Sequence, residues 1–264
     1  MIERNLSEEY NKHEIFIELL EMSKFYNEFS FSIMRFCSLG TKNIINIDTY
    51  IMTSISGTLE SINDVLKKGR ISDAYALLRK YYDMCIINIY VNLYLKDNFS
   101  IEKYVVEKID NWLKGKEKIP EFKEILKYIL KSDRLKLIIS VLDKNNIYKA
   151  IRNRCNDYMH YNYYKNIIIN DNTVVINNRI KYLDLFFMDL INIFILHLSL
   201  LFFLEDIYMS SSDYIDYLDC GLTPEEGSQY WVAPFIQEIF DKWIKKYRPD
   251  IAKIIKNNTN MNLE

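Results

Sequence analysis

Apolar residues recur at the three-to-four-residue spacing of a helix along almost all of this 264-residue chain, and only six glycines and four prolines interrupt them. A sheet needs side chains that alternate with a period of two and turns that consume glycine and proline. The chain is therefore expected to be all-α, a bundle of long helices. Hydrophobic residues make up 49% and charged residues 27%, the balance of a globular protein and not of a disordered one. A chain of this length can bury about 70–75% of its unfolded surface in its own core. One helical domain, 1–264, accounts for it.

The punctuation divides this pattern. Ser7, followed by Glu8 and Glu9, marks a helix start, and the first helix is read to about Phe36. A second spans Lys42 to Lys67 and stops at Gly69. The third runs from Ser72 to Lys96 and is apolar around most of its circumference, so it belongs in the core. Ser100 opens a helix to Leu113, Pro120 begins the next, and shorter ones cover Arg134–Asp143 and Ile147–Asn162. The β-branched runs Ile167–Ile169 and Thr173–Ile176 read as a small β-hairpin inserted near 167–176. After a long helix from Ile180 to Tyr208, a start at Thr223–Glu226 and helices at Gln229–Lys246 and Asp250–Lys256 form a C-terminal extension, 209–264.

Several function classes recede at once. Cys37, Cys85, Cys155 and Cys220 are widely spaced, so a zinc ribbon, a redox Cys-x-x-Cys pair and a disulfide scaffold are not expected, and the compartment is read as reducing and cytoplasmic. Met1–Glu21 is acidic and has no basic head before an apolar run, which argues against a secretory leader. Leu183–Leu204 has the length of a membrane span, but Asp184, Asp189, Asn192 and His197 interrupt it, so it reads as a buried core helix with no membrane partner. The formal net charge is −2, so nucleic-acid binding would need a local basic patch. Charge is indeed uneven: +3 over residues 96–136, −7 over 205–226 and +4 over 241–256.

The chain holds three histidines. His13 lies among charged residues and is expected to be exposed and idle; His197 sits inside the apolar helix as a satisfied core residue. His160 follows a dense polar run, Arg152-Asn153-Arg154-Cys155-Asn156-Asp157-Tyr158-Met159, and residues 149–165 carry four Lys/Arg against one Asp. On a helix Asn153, Asn156 and His160 share a face. One His with Asn and Asp is a poor metal-ligand set, and Cys155 points away from His160, so neither metal nor thiol chemistry is expected. Arginine offers a permanent planar charge to phosphoryl oxygens, and histidine moves protons near neutral pH. That pair suffices for cofactor-free, metal-free RNA cleavage. An ordinary solvated helix carrying a lone His is the plain alternative.

An Arg, four to six residues, and then a His on a helix of an all-α protein resembles the signature of the HEPN superfamily. Arg154 and His160 fit it, with five residues between them. The stretch Asn156-Asp157-Tyr158-Met159-His160-Tyr161-Asn162 is similar to HEPN proteins of bacterial toxin and phage-defence systems. The family places a polar residue directly after its Arg; Asn153 follows Arg152 here, whereas Cys155 follows Arg154. Arg154 is preferred as the catalytic arginine, with Arg152 as second phosphate ligand, and Asn153, Asn156, Asp157 and Asn162 as polar support. The resemblance implies a HEPN-like core over about 42–208 and a metal-independent endoribonuclease in anti-phage defence or acting as a toxin. It implies a homodimer with RNA as substrate, and a neutralising or regulatory protein partner is expected beside it. The alternative is a catalytically silent module of the same fold that binds RNA or a protein.

Overall fold

Met52, Ile55, Leu59, Ile62 and Leu66 follow one another at steps of three and four, and all five are buried. That stripe is why residues 47–67 form a helix with one dry face. The computed structural model describes residues 6–43, 45–143, 146–171, 173, 175, 176 and 178–264. In chain order its α-helices are α1 (Glu8–Asn11), α2 (Ile15–Ile33), α3 (Ile47–Lys67), α4 (Ile71–Asn98), α5 (Glu107–Leu113), α6 (Phe122–Leu130) and α7 (Lys136–Leu142). They continue with α8 (Ile147–Met159), α9 (Tyr164–Ile168), α10 (Arg179–Leu204), α11 (Asp213–Asp219), α12 (Pro234–Ile239) and α13 (Pro249–Asn258). The protein is all-α; among the described residues the sole β pairing is an isolated bridge between Ser210 and Val232.

The chain forms two compact units. The first comprises Met1–Ser30, Asp48–Cys85 and Asn145–Phe194. Its core is aromatic. The hydroxyls of Tyr26 and Tyr81 are 3.0 Å apart and both rings are fully buried, with Phe25 and Phe194 packed edge-on against Tyr26. Arg179, at the start of α10, gathers three backbone carbonyls. It donates to Gly69 O (3.0 Å), Ile169 O (2.9 Å) and Asp171 O (2.8 Å). The second unit comprises Phe31–Ile47, Ile86–Lys144 and Ile195–Glu264. There Trp243 is buried, Arg248 donates to Val141 O at 2.8 Å, and Asp206 receives both the backbone and side-chain N–H of Asn260. These contacts fix the C-terminal segment within its own unit.

The described residues of the expected hairpin form no strand. Ile167 and Ile168 belong to α9, and Thr173, Val175 and Ile176 have no regular structure; Asn172 and Val174 lie outside the described residues, as do Met1–Asn5. Side chains have taken the polar groups a hairpin would use. Arg179 holds the Ile169 and Asp171 carbonyls, and Asn170 exchanges hydrogen bonds with Asp73 at the start of α4. Side chains also set other boundaries. His13 Nδ1 accepts the Ile15 N–H, dividing the expected first helix into α1 and α2. Val106 N–H bonds to Gly40 O at 2.8 Å, so the helix expected from Ser100 begins only at Glu107. Thr223–Glu226 starts no helix: the Glu225 carbonyl accepts from the Ser228 N–H and hydroxyl, closing a turn instead. The apolar run of α10 has 83% of its membrane-length window buried inside the protein, as a core helix of a soluble protein does.

Candidate functional site

Helix α8 lies along α4, and the residue order of their contacts shows that the two run antiparallel. Tyr158 stacks on Tyr75 with ring centroids 4.2 Å apart, Asn156 Oδ1 accepts from Arg79 Nη1, and Arg152 Nε stands 3.7 Å from Asp83 Oδ1. As the number rises along α4, it falls along α8. Tyr75, Arg79 and Asp83 are four residues apart, so one stripe of α4 makes all three contacts. Ile151, Cys155 and Tyr158 supply the buried face of α8.

Arg154 faces α10. Its Nε donates to Asp189 Oδ2 at 2.7 Å and its Nη2 to Oδ1 at 3.1 Å, a two-point grip. Tyr75 O–H donates to the same Oδ2 at 3.2 Å. Asp189 is only 5% exposed and Arg154 30%. Burial pushes the Asp189 carboxyl above the usual carboxylate range, against the pull of Arg154 and the Tyr75 hydrogen bond. Burial works against the Arg154 charge too, yet the Asp189 hydrogen bonds and charge carry its guanidinium above the ordinary value. Among the described residues Nη1 of Arg154 has no hydrogen-bond partner.

His160 ends α8 as its C-cap and is exposed to solvent. The helix closes in a Schellman turn: Asn162 N–H bonds to Asp157 O (3.0 Å) and Tyr161 N–H to Tyr158 O (3.2 Å). Tyr161, at φ +49°, fills the left-handed position that glycine usually takes. Asn162 Nδ2 also donates to Asp157 Oδ1 at 2.8 Å, and Asn166 Nδ2 to Asp157 O at 2.8 Å. Asp157 and Asn162 fix the helix end that presents His160. The imidazole itself has no side-chain partner among the described residues.

The structure therefore groups the expected residues in three places. Arg152 and Asn156 join Arg79 and Asp83; Arg154 joins Asp189 and Tyr75; Asp157 and Asn162 brace His160. Asn153 is exposed beside them. Arg154 and His160 are six residues apart, about 120° around a regular helix, and among the described residues no contact joins them. The other histidines are accounted for. His197 is buried in the core of the second unit, 2.9 Å from Asn88 Oδ1, with its pKa lowered to about 3 by burial. His13 is not idle: besides capping α2, its Nε2 lies 3.0 Å from Asp184 Oδ1 and its ring meets Phe187 edge-on. Cys155 is buried, and burial pushes its thiol up to about 12, which keeps it protonated at neutral pH. Among the described residues no three His, Cys, Asp or Glu side chains converge as a metal-ligand group.

Sequence reasoning missed Arg79, Asp83 and Tyr75, because their partners on α8 lie 69 to 83 residues further along the chain and α4 reads as a plain core helix. Asp189 did leave a signal. A carboxylate in the middle of an apolar helix needs a buried cation or hydrogen-bond donors to offset its burial. No known family model, curated protein or solved structure matches the chain.

Proposed function

We propose that the protein is a metal-independent endoribonuclease of HEPN type, acting in anti-phage defence or as a toxin. What supports this most is the placement of His160. Of the three histidines it is the one that is exposed and, among the described residues, has no side-chain partner, and it stands on the braced end of a short basic helix. In the proposed reaction the 2′-oxygen attacks the adjacent phosphorus and the P–O5′ bond breaks. The products are a 2′,3′-cyclic phosphate and a 5′-hydroxyl. One proton leaves the 2′-hydroxyl and one reaches the 5′-oxygen; His160 carries one of these transfers. Arg154, oriented by Asp189, offers Nη1 to a non-bridging oxygen as charge accumulates there. Because Arg154 and His160 lie on different faces of α8, the reading includes a homodimer in which Arg154 of one copy serves with His160 of the other.

One observation favours the silent module instead: the charge of Arg154 is matched by Asp189. The readings separate in one assay. Purified protein incubated with single-stranded RNA in EDTA is expected to yield cyclic-phosphate ends, and His160→Ala and Arg154→Ala each to abolish them. An equimolar mixture of the two inactive variants is expected to regain part of the activity through mixed dimers. Intact RNA throughout, with a folded protein, would leave the silent module.

A further inference from the structure

Helices α4 and α8 bring two guanidiniums to one carboxylate. Arg79 Nε donates to Asp83 Oδ1 at 2.9 Å, and Arg152 Nε stands 3.7 Å from that same oxygen. Arg79 Nη1 donates to Asn156 Oδ1, which ties the α4 arginine to α8. All four residues belong to the first unit. Two cations against one anion give the group a formal charge of +1. The side chains are 13% (Arg79), 28% (Arg152) and 30% (Asp83) exposed, so the cluster is half-sheltered with an open edge. Burial lowers the Arg152 pKa and the neighbouring Arg79 charge lowers it further, while Asp83 acts in the opposite direction. Like charges held together at low exposure repel strongly, because water screens them poorly. A second anion at the open edge would relieve that repulsion, and guanidinium forks match tetrahedral oxyanions closely.

We propose that Arg79 and Arg152, braced by Asp83 and Asn156, form a subsite for a phosphate group of an RNA chain. The proposal rests on the ribonuclease reading for the identity of that phosphate, and it adds a residue from α4 to a motif otherwise confined to α8. Arg79 and Arg152 hold a phosphodiester beside the scissile one. Asp83 is a positioning residue: it aligns the two guanidiniums and balances part of their charge when the subsite is empty.

Binding can be measured apart from cleavage with a single-stranded RNA oligonucleotide methylated at every 2′-oxygen, which has no nucleophile to react. Arg79→Gln and Arg152→Gln are each expected to raise its Kd about tenfold or more, the loss typical of a charge-assisted hydrogen-bonding partner. Each should also flatten the dependence of log K on log salt, and the two together by about 0.7, one phosphate's worth for a single strand. Asp83→Asn should tighten binding, since it removes the competing anion. That opposite sign distinguishes a binding role from misfolding, which would weaken every variant alike. Wild-type Kd and salt slope in both arginine variants would overturn the subsite, even if the wild-type protein cleaves RNA. Weakened binding by both variants in a protein that cleaves no RNA would keep the subsite and remove the nuclease reading.

Discussion

His197 should make the fold sensitive to mild acid. Its imidazole is fully buried against Asn88, and its pKa is lowered from 6.5 to about 3. The unfolded chain therefore binds a proton there that the folded protein refuses. For a group depressed in this way the stabilisation is complete above the unfolded pKa and is lost as pH falls through the window from 6.5 towards 3. Between pH 7 and pH 5 the loss is about 2 kcal/mol, from the ratio of the two proton-binding polynomials. For a domain of this size that is a fall in Tm of about 4–8 °C. Most carboxylates stay ionised over that interval, so their contribution is small. The assay is thermal or urea unfolding at both pH values, for the wild type and for His197→Gln. Glutamine can still donate to Asn88 but does not titrate. The variant should lose some stability at pH 7 from imperfect packing, yet its difference between pH 7 and pH 5 should shrink by nearly the calculated amount. An equal pH difference in wild type and variant would show that the imidazole is protonated in the folded state and that the reasoning is wrong.

Two further substitutions test the elements around α8. Asp189→Ala leaves the half-buried Arg154 guanidinium and the Tyr75 hydroxyl without their acceptor, and should cost about 3–5 kcal/mol in urea unfolding. Tyr161→Gly relieves a left-handed residue at φ +49°. The relief of about 1–2 kcal/mol, less about 0.5–1 kcal/mol for the greater freedom of glycine in the unfolded chain, predicts a net gain of about 0.5–1 kcal/mol. Calorimetry at neutral pH would register either change.

The helical class was legible because its signal is distributed: every apolar face repeats the same spacing, and errors at single residues do not alter the pattern. For that reason the reading of α4 falls within two residues of both its ends, and each of α3 and α10 matches closely at one end and overruns by four or five residues at the other. What was lost depends on single long-range contacts. The β-branched run at 167–176 has the composition of strands, but its carbonyls are claimed by Arg179 and its Asn170 by Asp73, more than 90 residues earlier. The acidic stretch after α10 was read as charge and not as structure, although Asp213–Asp219 forms α11. Of the candidate site, the members on α8 and their order were visible. Their partners on α4 and α10 were not, because a stripe of Tyr75, Arg79 and Asp83 looks amphipathic until the helix it faces is known.

Those partners suggest why an apolar helix keeps a buried acid. An isolated Asp at 189 would be costly, and a well-packed apolar residue could serve α10 at least as well for stability alone. Asp189 instead ties Arg154 on α8 and Tyr75 on α4 to one point. The neighbouring pairs, Tyr75 with Tyr158, Arg79 with Asn156 and Asp83 with Arg152, succeed one another by one turn on α4 and by half a turn and one turn on α8. Sliding α8 by a turn would break every one of them and strand two buried polar groups, whereas an all-apolar seam would tolerate the slip at small cost. The polar seam therefore sets register more than it adds stability. Register is what a site spread along α8 requires, since the distance from the α4 arginine to the helix end bearing His160 is fixed only if α8 cannot slide.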